Sequence, residues 1–343
     1  MAEIKVLMMG GRRCGKTSVL AAIDDCCSNA LLKVKDLEIV CAEGGSALST
    51  KQNELTYYFT PEHRRRFPNE FKADYNPSQD SPTYTYKVDL CTRKTGFDLE
   101  FKDIRGEDLN KELHPEMEPV LQQLFKESQI VIIAIDTPKL IEGADDLLGD
   151  NVGEQHVIHN RVNEITDFFK DAFKENNHNK LVVFVPLKCE KYYYNNEMDK
   201  VRAYVKKGYP KLFEFFGSPD VRQRCAVAIA PILTLGGAEF FMLSDDPELS
   251  DDYCYVMPPN EAKYTPKCCE QVMFLILKYL ISAAEEAQKE RNVIFRIILQ
   301  RLFGRAKPED LLSCKKTIKE LIEANDDASL KVEIVQDDIG LMK

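Results

Sequence analysis

Ile4-Lys-Val-Leu-Met-Met-Gly10-Gly-Arg-Arg-Cys-Gly15-Lys16-Thr17-Ser18 passes from an apolar run, through a turn bracketed by glycines, into a segment of helical spacing. The run Ile4 to Met9 reads as a buried strand. The apolar positions Val19, Leu20, Ala22, Ile23 and Cys27 then recur roughly as on one face of a helix. Between them, Gly10 to Thr17 satisfies G-x-x-x-x-G-K-[ST], and the strand before it and helix after it are the context that gives the string meaning. Glycines let backbone N–H groups curl around phosphate oxygens. A helix N-terminus adds partial positive charge. Lys16 is then the residue expected to reach β- and γ-phosphates, and Thr17 the one expected to hold Mg²⁺ through its hydroxyl. Gly10, Arg13, Cys14, Gly15 and Ser18 complete the cradle. The competing reading, a chance glycine turn, has no need of the flanking strand and helix.

Outward from this loop, the chain alternates. Tyr84 to Cys91 and Phe97 to Phe101 show two-residue periodicity on either side of a polar turn, which is a β-hairpin. Three continuous apolar runs follow, Ile130 to Ile135, Leu181 to Val185 and Ala226 to Ile229. Each is preceded by a helical-period segment, at about 109–127, 157–174 and 198–216, and a last helix is expected at about 267–289. Apolar strands alternating with amphipathic helices mean a mostly parallel sheet covered on both faces. The expected fold is therefore a three-layer α/β domain with one antiparallel hairpin strand.

Composition agrees with a folded domain. Of 343 residues, 44% are hydrophobic and 30% charged, enough to build a sizeable core. Lys and Arg number 46 against 56 Asp and Glu, a net charge of −10 that disfavours duplex DNA as a partner of the whole surface. No apolar stretch approaches the roughly 18 residues of a membrane span. The eleven cysteines form no C-x-x-C pair and suit a reducing compartment, so a cytoplasmic location is expected.

With loop, hairpin and strand order in place, the chain resembles P-loop GTPases of the translation-factor and Ras-like (TRAFAC) class, and more narrowly bacterial double-GTPase-like proteins, over about residues 3 to 289. The resemblance implies a Ras-like G domain that binds GTP or GDP with Mg²⁺, and it assigns further residues. Asp103-Ile-Arg-Gly106 matches the class's D-x-x-G. By that match Asp103 holds the metal through water and the Gly106 amide touches the γ-phosphate. The glutamine that follows this glycine in Ras-like members is Glu107 here, and Arg105 stands as a candidate internal arginine finger. Both are equally readable as solvated loop charges. The switch threonine, a metal ligand in the class, falls to Thr83, with Thr85 and Thr60 as alternatives. In the base-reading motif, Lys188 matches the lysine, Glu190 replaces the aspartate with one more methylene, and Leu187 replaces the Asn or Thr. A loop after the sixth strand, Ala230 to Gly237, takes the place of the last backbone-contact motif, with Thr234 and Gly236 as contacts.

Two regions stand outside the alternation. Residues 33–82 form an insert on the switch side, with a short strand at 37–41, a helix near 48–59 and the basic run His63-Arg-Arg-Arg66. Residues 290–343 form a helical C-terminal extension with an acidic tail. Within it, 289–307 carries six basic residues against one acidic, on a helix with a broad apolar face. Either region is a candidate surface for a protein partner or effector, and membrane-surface contact is the less favoured use of the basic helix. His156 and His159 lack the carboxylate pattern of a metalloprotease and read as surface or packing residues. The functional expectation is a GTP-binding, slowly hydrolysing molecular switch. Two readings compete with it: an interaction module that binds nucleotide without turnover, and an ATP-dependent P-loop phosphotransferase.

Overall fold

The computed structural model describes residues 2–31, 37–66, 70–72, 82–90, 95–142, 152–153, 155–174, 178–243, 253–256, 263–289, 308–323 and 327–342. The basic amphipathic segment 290–307 lies outside the described residues.

Among the described residues, eleven strands form: β1 (Ala2–Gly10), β2 (Leu37–Glu43), β3 (Glu70–Lys72), β4 (Thr83–Leu90), β5 (Thr95–Asp103), β6 (Ser128–Asp136), β7 (Lys180–Leu187), β8 (Cys225–Ile229), β9 (Glu239–Leu243), β10 (Tyr253–Val256) and β11 (Glu333–Gln336). The helices are α1 (Lys16–Leu31), α2 (Gly45–Tyr57), α3 (Pro61–Arg66), α4 (Met117–Glu127), α5 (Thr137–Ile141), α6 (His156–His159), α7 (Val162–Ala172), α8 (Glu190–Tyr194), α9 (Met198–Gly208), α10 (Pro210–Gly217), α11 (Pro219–Arg222), α12 (Glu270–Lys289) and α13 (Pro308–Glu323).

The main sheet has the order β11-β8-β7-β6-β1-β5-β4-β2. Strands β5, β1, β6, β7 and β8 run parallel, and only β4 and β11 oppose them, because β2 is antiparallel to β4 and so returns to the common direction. This is the mostly parallel, hairpin-bearing sheet expected from the sequence. The central strands β6 and β7 are buried on both faces, as their unbroken apolar runs require. One core packs α1, α12 and α13 on one face, with Val19, Leu20, Ile276 and Ile318 among its members. The other packs α4, α7, α9 and α10 on the second face, around Phe125, Phe169, Val205 and Phe216.

Three expected helices are shorter than their periodicity suggests, each for a local reason. The segment 109–127 becomes α-helical only at Met117, because the Asn110 side chain accepts from the Glu112 and Leu113 amides and folds a turn there. The segment 157–174 breaks at Arg161, which adopts a left-handed conformation with φ 54. The segment 198–216 breaks at Pro210, which cannot donate into the preceding turn.

Two features have no counterpart in the sequence reading. The C-terminal segment contributes, besides α13, the edge strand β11 beside β8, and Leu341 and Met342 enter the core. A second, three-stranded sheet of order β3-β10-β9 joins the 33–82 insert to the segment after β8.

Candidate functional site

The residues of interest stand at the C-terminal ends of parallel strands: Gly10 on β1, Asp103 on β5, Asp136 on β6 and Leu187 on β7. Strand order reverses at β1, whose neighbours are β5 and β6, and such a switch point is the usual ligand position of these sheets.

The loop from Gly10 to Gly15 delivers the chain into α1. The first helical bond is Val19 N to Gly15 O, at 3.0 Å, which leaves the amides of Lys16, Thr17 and half-buried Ser18 without helical acceptors at a helix N-terminus. Lys16 curls over the loop, its Nζ donating to Gly11 O (3.1 Å) and Gly10 O (3.3 Å) and standing 3.8 Å from Asp103 Oδ1. Thr17 donates its hydroxyl to Asp103 Oδ2 at 3.1 Å. Asp103 is buried, and its Oδ1 lacks a hydrogen-bond partner. Burial raises its pKa, while Lys16 and Thr17 pull the other way. A cation at this place would favour the charged carboxylate. Cys14 is fully buried in the loop, and burial raises its thiol pKa, so it acts as a filler and not a nucleophile.

The D-x-x-G loop seats directly on the phosphate loop. A Cβ on Gly106 would fall 2.6 Å from Arg12 N and 2.7 Å from Gly11 C, so only glycine permits this approach. Glu107 pairs with Arg12 at 2.9 Å, both half-exposed. Arg105 turns away from the cradle and grips buried Asp108, with Nη2 at 2.6 Å and Nε at 3.1 Å from Oδ1. It braces its own loop in this conformation.

Thr83 is not brought to the metal-side oxygens. It opens β4, opposite Lys102 on β5, and its hydroxyl accepts from the Lys102 ammonium. Side chains alternate along a strand, so Tyr84 takes the face toward α1 while Thr83 and Thr85 take the other. Thr85 donates to Glu43, and Thr60 donates to Tyr57 O within its own turn. The residue beside Thr17 and Asp103 is therefore Tyr84, whose phenol is pushed up to about 12 by burial and by the Asp103 charge.

On the base side, Lys188 has φ 57, and its Nζ bonds Asp136 Oδ2 at 2.5 Å and Arg13 O at 3.2 Å, tying the end of β7 to the phosphate loop. Asp136 is wholly buried. Burial alone would raise its pKa, but Lys188 and His159 hold the carboxyl well below the usual range. Leu187, at the Asn or Thr position of the motif, makes an apolar contact with the place a Gly15 Cβ would occupy. Glu190 is fully buried. Its Oε1 accepts from the Leu235 and Gly236 amides at 2.9 and 3.2 Å, while Oε2 has no hydrogen-bond partner. Burial raises its pKa, and the two amides and Lys188 oppose that. The Ala230 to Gly237 loop thus meets Glu190, as the order of motifs suggests, but through its backbone.

The sequence reading passed over Arg12, Asp136, Asn160 and the histidine pair as parts of this site. Asn160 clamps the Asp136 backbone from both sides, accepting from its amide (2.8 Å) and donating to its carbonyl (3.1 Å). The His159 carbonyl lies 1.8 Å from where a Gly11 Cβ would stand, and its Nε2 is 3.5 Å from Asp136 Oδ2. H-x-x-H is thus a brace under the phosphate loop. The only available sequence signal was its position after β6.

No protein-family model matches the sequence, and no curated protein does. Among solved structures, the chain is similar to the GTPase-like domain of Ski7 from S. cerevisiae, bound to GDP and inorganic phosphate. The match has 11% identity and a TM-score of 0.31, covering 72% of this chain and 46% of that one, so this chain spans less than half its length. A likeness at that level leaves the site to be argued from its own residues.

Proposed function

We propose that the chain binds a guanine nucleoside triphosphate with Mg²⁺ in the phosphate loop, hydrolyses it slowly, and couples nucleotide state to a partner-binding surface. The convergence of Lys16, Thr17, Asp103 and the Gly106 backbone on one glycine loop carries this reading. Helical amides and the Lys16 ammonium suit phosphate oxygens. Guanine is favoured over adenine because its ring N–H and amino group need an acceptor, a part that buried Glu190, with Oε2 unsatisfied, would take by turning toward the base.

The residues fit a cation. Thr17 and Asp103 would hold it, directly and through water, and Asp103 Oδ1 lacks another partner. Among the described residues no group of three His, Cys, Asp or Glu could form a protein cage, which suits Mg²⁺ that takes most of its ligands from phosphate and water. Bound there, Mg²⁺ supplies charge neutralisation at the β- and γ-oxygens. Lys16 would add a second positive charge, and the docked loop would exclude water.

Competition among GTP, GDP and ATP in the presence of Mg²⁺ tests the reading. GTP and GDP should win, and Lys16→Ala should lose affinity by about 100-fold or more, from a charge-assisted contact worth roughly 2–3 kcal/mol or more. Wild-type protein that binds neither guanine nucleotide would overturn it. A second reading, binding without turnover, is favoured by one observation: Glu107 and Arg105 are both held in other ion pairs. Phosphate release no faster than in Lys16→Ala, with tight binding retained, would select it. The partner surface falls to the 33–82 insert or to 290–307.

A further inference from the structure

Cys26 and Cys27 lie on α1, and Cys268 and Cys269 stand just before Glu270, the first residue of α12. All four are free thiols. The segment that leads into α12 pairs with the 230–237 loop. Leu233 and Lys267 exchange backbone hydrogen bonds at 2.9 and 3.1 Å, and Thr265 N donates to Leu235 O at 3.1 Å. Cys268 then turns the chain at φ 61. The Cys269 thiol comes back to Leu233 O (3.4 Å) and Lys267 O (3.6 Å). From α1, the Cys26 thiol reaches Pro266 O at 3.6 Å. Two sulfurs held on adjacent carbonyls of one segment are neighbours, and they meet in a side-chain hydrogen bond. Cys26 also hydrogen-bonds the half-buried Glu270 carboxyl, whose pKa burial raises, making it the better proton acceptor. Cys26 keeps 8% exposure and Cys269 none, so a small reagent from solvent meets Cys26 first. Among the described residues no three His, Cys, Asp or Glu side chains could hold a metal ion, so the chemistry on offer is that of a thiol pair.

We propose that Cys26 and Cys269 are a site of reversible oxidation, which hydrogen peroxide converts to a disulfide tying α1 to the 263–269 segment. Glu270 takes the Cys26 proton, and the thiolate sulfur attacks one peroxide oxygen. The O–O bond breaks, the departing hydroxide collects that proton as water, and Cys26 becomes a sulfenic acid. The Cys269 sulfur then attacks the Cys26 sulfur. The S–S bond forms, the S–O bond breaks, and hydroxide leaves with the Cys269 proton as a second water. The two thiols lose two electrons, and one peroxide gains them. Burial holds the Cys269 thiol protonated until that step, which reserves the first attack for Cys26. The link joins α1 to the segment paired with the loop whose Leu235 and Gly236 amides hold Glu190. Oxidation therefore stiffens the 230–237 loop, and it needs no bound nucleotide. Where the surroundings are reducing, such a link is transient and reports oxidant.

The full chain, treated with hydrogen peroxide while folded and digested without reductant, is read by mass spectrometry. A Cys26–Cys269 peptide pair, released by dithiothreitol, is expected. Wild type that stays reduced, or that links Cys26 to Cys27 or Cys268 instead, overturns the site. Cys269→Ala should leave Cys26 as a sulfenic acid trapped by dimedone, and a Cys26 that dimedone never labels there overturns the order of steps. Glu270→Gln should slow oxidation about tenfold or more, and an unchanged rate removes Glu270 as the base. In oxidised wild type, hydrogen exchange at amides 232–237 should slow about tenfold and recover with dithiothreitol. A link that leaves this exchange unchanged overturns the stiffening and leaves the oxidation site standing.

Discussion

His156 shows how a single buried side chain links the site to the fold. Its ring is enclosed, with Nδ1 2.8 Å from Asn160 Nδ2 and Nε2 3.1 Å from Gly208 O. The amide nitrogen must donate to Nδ1 and the carbonyl must accept from Nε2–H, so the ring is neutral with its proton on Nε2. Burial pulls its pKa down to about 4. A proton added at Nδ1 would face the Asn160 donor and disturb the clamp on Asp136. The unfolded chain takes up that proton near pH 6.5 and the folded chain near 4. Stability from this group is therefore fully present above about pH 6.5 and falls as pH drops toward 4, by up to about 3 kcal/mol. Urea unfolding between pH 4 and 7 should show this slope, and His156→Gln should flatten it. An equal slope in the variant would assign the pH dependence elsewhere. Little of this was legible in H-x-x-H, because burial and tautomer depend on Gly208 and Asn160, which the motif does not contain. The loop Gly10 to Thr17 was legible because strand, spacing and helix are all local. Thr83 opens β4 opposite Lys102, on the face away from Thr17 and Asp103, and the alternation that buries Tyr84, Tyr86 and Val88 already implies that phase.

At the scale of elements, the central strands were readable because burial on both faces writes continuous apolar runs. The edges were not. β11 is four residues long, and Glu333, Ile334, Val335 and Gln336 carry neither clear alternation nor a continuous run. It forms because β8 offers an open edge and because nearby side chains hold it: Gln336 donates to Cys225 O at 2.9 Å, Arg222 meets Asp338 at 2.7 Å, and Lys206 meets Glu333 at 2.5 Å. Leu330, Leu341 and Met342 are buried beside it. At roughly 1.5–3 kcal/mol for each fully buried side chain, the segment contributes about 5 kcal/mol or more. The surface ion pairs add little. Removing residues 327–342 should lower the urea midpoint by a corresponding amount and expose the β8 edge to association, visible as concentration-dependent light scattering. A truncated chain with an unchanged midpoint would show that β11 is ornamental to stability.

For the whole molecule, charge and topology carry separate messages. The net charge of −10 says nothing about the candidate site, where Arg12, Lys16 and Lys188 each stand beside a carboxylate, Glu107, Asp103 and Asp136 in turn. No helix among the described residues is long and apolar enough to cross a membrane. The small sheet says something about assembly. Lys72 on β3 pairs with Cys254 on β10, a contact between positions about 180 residues apart in the chain. Closing so large a loop costs chain entropy that nothing nearby offsets early, so this pairing belongs to the late, non-local part of folding. Tyr255→Pro, which removes an N–H from the middle strand of that sheet, should speed unfolding several-fold and leave the folding limb of a chevron within about twofold. A slowed folding limb would place the small sheet in the nucleus instead. The insert is then stitched to the segment after β8 late in folding, and the small sheet works as a kinetic clasp.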